Sequence, residues 1–593
     1  MMKLKQHYFT FFQNYGAEPT EVYLDQLAKA LQCSTRHTKS IIKQMQAENW
    51  IQWDPNPGRG NASTLTLLKK PTEIEEQQVQ EWIKHGQISK ALKWMEKQET
   101  LEESFVNWLE NHFQWTPSTK HNEGLDVLSY PYYYPLHSLV PWESTTRHEG
   151  HIIEHIFNCL VKFDQETQTL APELAHHWES KDNSRVWRIY LRKRLFFHNG
   201  KAITSSEIRD NVRIWKEKQL AAWKRQMIEQ IQEINTPTST LIEFKLEQPN
   251  PLFMQLFTGH KASIIPVSDY LEEPNKFRYH PIGSGPYLIK SHNQGHLILE
   301  AFQNYFGYRP LLDKVELYSI PKKPISPQRQ IHYRIVNEDT LNVNKKDWFR
   351  PQLGGTFIAV NHQKSGIHQH PEFRKHLSYL LDRPKLFKHH PHHDVWFPDS
   401  MFDPQARPLR QHSNYEAAKK WFKDQGFIGK TLTLTSTCLK HDAYFKYELE
   451  VLKEVFEEVG INLETRVVDI FELSKEENLN QTDLVIAGFS LGDNPLVSLM
   501  NAYTSNTSFI CNTIPDEART HLNSLLDTVW KSSDTQSAYQ NLREIEEFLL
   551  DEYFTIFLYQ RKIHISVEAD ERLQGIEINL NNRLSYHKLW YKF

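Results

Sequence analysis

VYLDQLAKALQCSTRHTKSIIKQM, residues 22 to 45, carries two apolar stripes with the same spacing. Leu24, Leu27, Ala28 and Leu31 fall at i, i+3, i+4 and i+7, the period at which one helix face repeats. After Gln32 and Cys33, Ser34 offers an oxygen suited to N-capping, and Thr38, Ile41, Ile42 and Met45 repeat the stripe. Two short helices joined by a tight turn follow from this. A preceding helix carrying Phe9, Phe12 and Tyr15 completes the helix-turn-helix pattern, in which the second helix of the pair enters a DNA major groove.

Opposite that stripe lie Arg36, His37, Lys39, Ser40 and Lys43, with Ser34 and Thr35 at the helix start. Arg and Lys pair with phosphate or guanine, and Ser and His are short, adaptable hydrogen-bonding groups. Such a face is also what a merely solvated helix presents. The continuation NWIQWDPNPGRGNASTLTLL, residues 49 to 68, favours DNA. It reads as a strand around Trp50 to Trp53, a turn rich in Pro, Gly and Asn, and a second strand in which Leu65 and Leu67 alternate. This hairpin is expected to be a wing, with Arg59 between Gly58 and Gly60 free to approach the duplex closely and Asn61 beside it. A winged helix-turn-helix is therefore expected over residues 1 to 70.

Charge agrees with that placement. Residues 1 to 70 hold nine Lys or Arg and five Asp or Glu, a net +4, which leaves −8 for the rest of a chain whose formal total is −4. A basic head on an acidic body is expected if only the head meets a polyanion.

Residues 71 to 117 are helical in composition, with Trp82, Ile83, Leu92, Met95, Val106 and Leu109 forming apolar faces, so a packed helical connector is expected. Beyond it the texture changes. VWRIYLR, residues 186 to 192, alternates Trp187, Ile189 and Leu191 against Arg188, Tyr190 and Arg192, as a half-buried strand does. TLTLT (431 to 435), a helix with Phe445, Leu449, Leu452, Phe456 and Val459 on one face, and INLETRVV make a βαβ unit, and TDLVIAGF (482 to 489) adds a strand. At 593 residues the chain has length for roughly four compact units.

LAPELAHHWESKDNSRVWRIYLRKRLFFHNGKAITSSEI, residues 170 to 208, resembles the signature segment of family 5 extracellular solute-binding proteins, the oligopeptide- and nickel-binding class. IGSGPYLI (282 to 289), FQNYFGYRPLLDKVEL (302 to 317), FIAVNH (357 to 362), HPEFRKHLSYLLDRPKLF (370 to 387) and NYEAAKKWFKDQGF (414 to 427) continue the likeness in order. The resemblance implies a two-lobed, type II periplasmic-binding-protein-like α/β body over 118 to 593, with lobes of about 118 to 355 plus 557 to 593 and 356 to 556. Closure of such lobes on a solute links binding to conformation.

With the winged helix in front, the whole arrangement resembles the SgrR-type transcriptional regulators. That resemblance implies a cytoplasmic, ligand-responsive regulator that binds double-stranded DNA and senses a sugar, sugar phosphate or peptide-like solute. Tyr130, Tyr132, Trp142, Trp396, Asp493 and Asn494 are the expected cleft residues, since such clefts pair aromatics with a few polar anchors. Each has an alternative as a core aromatic or turn former.

Other function classes find less in the residues. The start, MMKLKQHYFTFFQNYG, is interrupted by Gln6, His7, Gln13 and Asn14, so no export signal is expected, and no apolar run suits a membrane span. Cys33, Cys159, Cys438 and Cys511 show neither disulfide nor zinc spacing. No P-loop, nucleophile elbow or paired-carboxylate motif points to an enzyme. KHHPHHD, residues 388 to 394, and His148, His151 and His155 are the places where a metal reading arises, though a surface loop and a packed helix face account for them equally. No cofactor or metal is assigned, and the oligomeric state is left open. A transport-system solute-binding component and a metal-sensing regulator are the alternatives.

Overall fold

Both apolar stripes of the head become helix faces turned into one small core. The computed structural model describes residues 2 to 592 apart from 57, 59, 60, 85, 86, 96, 99–103, 106, 107, 109–124, 133–135, 145, 165, 219–221, 294, 320–331, 336–342, 352, 390–394, 398, 399, 402–413, 440, 441, 444, 493 and 580–582. The head runs α1 (Met2–Tyr15), β1 (Thr20–Val22), α2 (Leu24–Ala30), α3 (Thr35–Ala47), β2 (Ile51–Asp54) and β3 (Ser63–Leu67). Its three strands form an antiparallel sheet in the order β1-β3-β2. Ser34 caps α3 by accepting from the His37 amide at 3.3 Å, and Thr38, Ile41, Ile42 and Met45 are all buried.

The first helix departs from expectation. Tyr8 and Phe11 are the enclosed residues, while Phe9, Phe12 and Tyr15 are only partly buried. The reason is tertiary: Trp50 meets Tyr8 edge-on at 5.7 Å, and the Tyr8 hydroxyl donates to the Lys69 carbonyl. These partners select which of two adjacent aromatic rows on α1 turns inward.

α4 (Pro71–Lys84) and α5 (Ile88–Met95) follow. Ile74 on the first turn of α4 belongs to the head's core, whereas Val79 and Ile83 pack with Ala91, Leu92, Met95, Phe105 and Tyr318. Val106 and Leu109 lie outside the described residues.

The body contains β4 (Val127–Tyr132), α6 (Arg147–Ile156) and the hairpin β5 (Val161–Asp164) and β6 (Thr169–Pro172). β7 (Ala175–Lys181), β8 (Val186–Leu191), β9 (Ile231–Thr238) and β10 (Leu241–Leu246) form an antiparallel sheet in the order β7-β8-β10-β9. The alternation in β8 behaves as expected, with Trp187, Ile189 and Leu191 buried. α7 (Ser205–Glu217) and α8 (Ala222–Glu229) lie between β8 and β9.

β11 (Tyr287–Asn293), β12 (His296–Ala301) and β13 (Lys314–Ser319) extend a second four-stranded sheet, closed by the parallel pairing of β13 with β4. The glycines of IGSGPY are required here. A side-chain carbon at Gly283 would sit 2.0 Å from the Ile156 carbonyl oxygen, and Gly285 donates to that same oxygen at 2.7 Å.

Nine further strands form one sheet, and Leu573–Gln574 pairs with Trp590–Tyr591 in a separate two-stranded one. β14 (His332–Ile335), β15 (Val343–Pro351), β16 (Gly354–Val360), β17 (Val395–Trp396), β18 (Thr431–Leu439), β19 (Asp442–Ala443), β20 (Asn462–Asp469), β21 (Leu484–Ser490) and β22 (Thr555–Asp570) take part. The main order is β14-β22-β16-β21-β18-β19, with β15 and β17 on β22 and β20 on β18. Alternation assigns each side of the central strands to a layer. Ile358, Val360, Leu484, Ile486, Ile556 and Leu558 face α9 (Pro371–Leu380), α10 (Tyr415–Asp424) and α11 (Lys446–Glu458). Phe357, Ala359, Val485, Ala487 and Phe557 face α12 (Pro495–Thr504), α13 (Asp516–Trp530) and α14 (Thr535–Asp551). Burial on both sides explains why FIAV and LVIA are continuous apolar runs. β18, α11 and β20 form the expected parallel βαβ unit.

Candidate nucleic-acid interface and solute cleft

Ser34, Thr35, Arg36, His37, Lys39, Ser40 and Lys43 are all exposed, on the side of α3 away from the buried stripe. The helix therefore offers two hydroxyls and a cationic side chain at its first turn, where unpaired amides already favour an anion. The tertiary structure adds a lysine and a histidine that the α3 pattern does not contain. Burial, then His37, then Lys3 hold the His7 imidazole below its ordinary range, so the start of α1 flanks the α3 face with Lys3 and His7. No local periodicity links position 7 to position 37, and that juxtaposition exists only in the fold.

The wing is partly described. β2 and β3 pair from Ile51 opposite Leu67 to Asp54 opposite Thr64. At the tip Gly58 has φ of 139°, a conformation that favours glycine, and a side chain there would lie 2.5 Å from the Asn61 amide nitrogen. Asn61 is exposed and packed beside Gly58. Arg59 lies outside the described residues.

Of the six expected cleft residues, Tyr130 and Tyr132 are on β4, opposite Leu317 and Ser319 of β13. Trp396 is on β17, opposite Gln560 of β22. Trp142 is buried and meets Tyr270 edge-on at 5.2 Å. Asp493 lies outside the described residues. Asn494 caps α12 by accepting from the Val497 amide at 3.3 Å, and its own amide donates to Gln255 Oε1 at 2.7 Å and Thr258 Oγ1 at 3.2 Å.

That last pair of bonds crosses between the part built on four-stranded sheets and the part built on the nine-stranded sheet. Nearby, the Trp223 indole donates to Asn501 Oδ1 at 2.8 Å and stacks on Trp530 at 5.1 Å, and Gln226 donates to Asp527 Oδ1 at 2.9 Å. Sequence reasoning missed Trp223, Gln255, Thr258, Asn501 and Trp530. Their only local sign is that Trp223 and Trp530 stand on amphipathic helices, as core residues do.

The histidines noted above fall into two situations. His151 and His155 are enclosed, with their Nε2 atoms 3.3 Å apart, His151 Nε2 2.9 Å from the Leu584 carbonyl, and His155 stacked on Tyr586 at 4.3 Å. Burial pulls the His151 imidazole down to about 3 and His155 well below its usual range, so both are neutral. His148 lies against the Arg583 guanidinium at 3.0 Å. His390, His392, His393 and Asp394 of the KHHPHHD stretch lie outside the described residues. Among the described residues no group of three or more His, Cys, Asp or Glu is arranged to hold a metal ion.

Comparison with known proteins places these features in context. Residues 169–509 match the model for bacterial extracellular solute-binding proteins, family 5 middle region, and residues 3–115 match that for the sugar transport-related sRNA regulator N-terminal region. The HTH-type transcriptional regulator SgrR of Yersinia enterocolitica is 24% identical over 591 residues, spanning 99% of this chain and 98% of that one. SgrR of Photorhabdus laumondii is 26% identical over 471 residues, 79% of each chain. Among solved structures, NikA from Brucella suis in complex with Fe(III)-EDTA matches with a TM-score of 0.64 at 15% identity, covering 78% of this chain and 99% of that one. A dipeptide-binding protein from Pseudoalteromonas sp. SM9913 in complex with Met-Leu gives 0.63 at 15% identity, covering 78% and 100%.

Proposed function

We propose that this chain, which belongs to the bacterial extracellular solute-binding proteins of family 5, is a cytoplasmic, ligand-responsive transcriptional regulator of the SgrR type. Its winged helix (1 to 70) binds double-stranded DNA, its connector (71 to 117) carries the signal, and its two-lobed body (118 to 593) closes on a sugar, sugar phosphate or peptide-like solute. The lobes are about 118 to 355 plus 557 to 593, and 356 to 556.

The single observation that carries this reading is the double membership of α4. Ile74 is enclosed in the DNA-binding core, and Val79 and Ile83, one to three turns on, are enclosed with Tyr318 of the body's sheet. Tyr318 follows Leu317, and β13 pairs in register with β4, the strand of Tyr130 and Tyr132. A solute that shifts β4 thus acts on a helix that is also part of the head. Two domains on a loose tether would have no such shared element.

In this assignment Ser34, Thr35, Arg36, His37, Lys39, Ser40 and Lys43 meet the groove and backbone, with Arg59 and Asn61 serving the wing. Tyr130, Tyr132, Trp396 and Asp493 contact the solute. Trp142 is assigned to the same cleft, held by its edge-on contact with Tyr270, and Asn494 fastens the two parts of the body through Gln255 and Thr258. No catalytic role is assigned. The transport-component alternative is not favoured, because the relative matched over nearly its full length carries the name of a transcriptional regulator. Among the described residues no helix is long and apolar enough to cross a membrane.

Fluorescence anisotropy with duplexes from the DNA flanking the gene tests the reading. Affinity should fall steeply as salt rises, because Lys and Arg release counterions from phosphate. Absence of salt-dependent binding to any such duplex would remove the regulator assignment.

A further inference from the structure

β20 (Asn462–Asp469) is an outer strand of the nine-stranded sheet. Among the described residues it pairs with β18 alone, in unbroken parallel register from Thr431 opposite Asn462 to Cys438 opposite Asp469. The Asn462 amide donates to the Lys430 carbonyl at 2.8 Å, and backbone groups alternate in direction along a strand. The even-numbered residues of β20 therefore bond to β18, and the amides and carbonyls of Leu463, Thr465 and Val467 point away from the sheet. Among the described residues nothing bonds to these outward groups, and Glu464, Thr465, Arg466 and Val467 are exposed.

A bare sheet edge recruits another strand, and proteins commonly blunt it with proline, lysine or a bulge. The other long outer strands of the body follow that rule. β4 holds Pro131, β9 holds Pro237, and β15 holds Lys345 and Lys346. β7 and β11 are broken by register shifts between Ala175 and His177 and between Ile289 and Ser291. β20 has no proline, lysine, glycine or bulge. Exposed apolar groups stand at both of its ends. Val467 and Phe471 are 47% and 45% exposed at one end, and Ile428, 65% exposed, lies over Gly460 at the other.

This edge is complementary to itself. An antiparallel partner must bond through the outward groups, so a second β20 can pair only in registers that set odd-numbered residues opposite one another. Centred on Glu464, such a pair would put glutamate against glutamate, and centred on Arg466 it would put arginine against arginine. Centred on Thr465, it puts Glu464 opposite the partner's Arg466 and Leu463 opposite the partner's Val467. Thr465 then faces its own copy, and Thr–Thr and opposite-charge pairs are both favourable across strands. The same register carries Ile428, beside Gly460, to the partner's Phe471, so the exposed apolar groups cover one another. Arg466 uses Nη1 on Gln481 Oε1 at 3.2 Å, and its guanidinium has further donors for a carboxylate.

We propose that this chain forms a two-fold dimer in which the β20 edges of two copies pair antiparallel about Thr465, joining two nine-stranded sheets into one. The contact is isologous, as closed two-fold interfaces are: each copy gives its Glu464 to the partner's Arg466 and receives the reverse. The inference does not depend on the regulator reading. Under that reading it gives one particle two winged heads related by a two-fold axis, which calls for an operator with inverted symmetry.

Sedimentation velocity on the full chain is the test. The unmodified protein should sediment as twice 70.3 kDa at about 100 μM. Thr465→Pro removes an outward amide that β18 does not use, so the chain should keep its circular dichroism spectrum and become monomeric. Glu464→Arg and Arg466→Glu each set like charges opposite one another and should raise the dimer Kd about tenfold. Mixed one to one, these two variants should re-form dimer, because every pair then joins opposite charges. The double variant should dimerise by itself for the same reason.

A protein that is monomeric at that concentration overturns the proposal. A dimer that survives Thr465→Pro does so too, since the contact must then lie on another surface. A Kd that neither charge variant changes, or a mixture of the two that stays monomeric, removes the register centred on Thr465 and the proposal with it.

Discussion

Ile74 and Val79 stand on one helix and are both fully enclosed, yet they belong to different cores, Ile74 to the winged helix and Val79 to the cluster that Tyr318 enters from the body's sheet. Helix hydrogen bonds make α4 stiff over this distance, so a rotation imposed at one core is felt at the other. Glu75 sits between them, accepting from the Trp94 indole at 3.1 Å and acting on Lys5 of α1.

Tyr318→Ala should separate the body from the connector. It removes a ring that stacks on His296 at 4.4 Å and a hydroxyl that donates to Glu316 at 2.6 Å. The expected loss is about 3 kcal/mol, as for other large-to-small core changes. Hydrogen exchange of the amides of α4 and α5 should accelerate while those of α3 keep their protection. Unchanged exchange in α4 would mean that Tyr318 is not the joint.

Lys43→Ala should weaken duplex binding to a similar degree across sequences and lower the salt slope by about one. Lys3→Ala is expected to act in the same direction, since Lys3 lies near His7 and His37. Anisotropy titrations at several salt concentrations decide it. A salt slope that does not move in either variant removes these residues from the interface.

Trp223→Phe should loosen the contact between the two parts of the body. The variant loses the bond to Asn501 and leaves that amide oxygen without its partner, a loss of about 1 to 2 kcal/mol. Small-angle scattering should report a larger radius of gyration in the absence of solute. An unchanged scattering profile would show that Trp223 does not hold the parts together.

Acid should destabilise the body through His151 and His155. Burial lowers both imidazoles, His151 to about 3 from an ordinary 6.5. A group whose pKa folding lowers adds its full stability above the unfolded value and loses it as pH falls toward the folded one. Below pH 6.5 each such histidine should therefore cost about 1.4 kcal/mol per pH unit. Melting curves between pH 7.5 and 5 test this, and His151→Phe should flatten the slope. A melting temperature that rises on acidification would contradict the burial of these rings as neutral groups.

Much of this molecule is legible in short stretches. The α2 and α3 stripes, the cap at Ser34, the alternation in β8 and the run β18, α11, β20 each depend on residues within one or two turns or strands, so local periodicity reports them. The inward face of α1 was misread because Phe9 and Tyr8 are both plausible core aromatics, and only Trp50 and Lys69, far along the chain, choose between them.

The sequence by itself determined that a basic three-helix head with a wing precedes an acidic α/β body, because helix period, strand alternation and charge balance are properties of neighbouring residues. Only the tertiary structure decided that α4 belongs to two cores, that Asn494 reaches Gln255 and Thr258, and that the Trp223 indole reaches Asn501 and Trp530. Those three facts pair positions separated by tens to hundreds of residues. Burial and charge compensation are set by whatever the fold brings alongside a group, and no pattern along the chain encodes that directly.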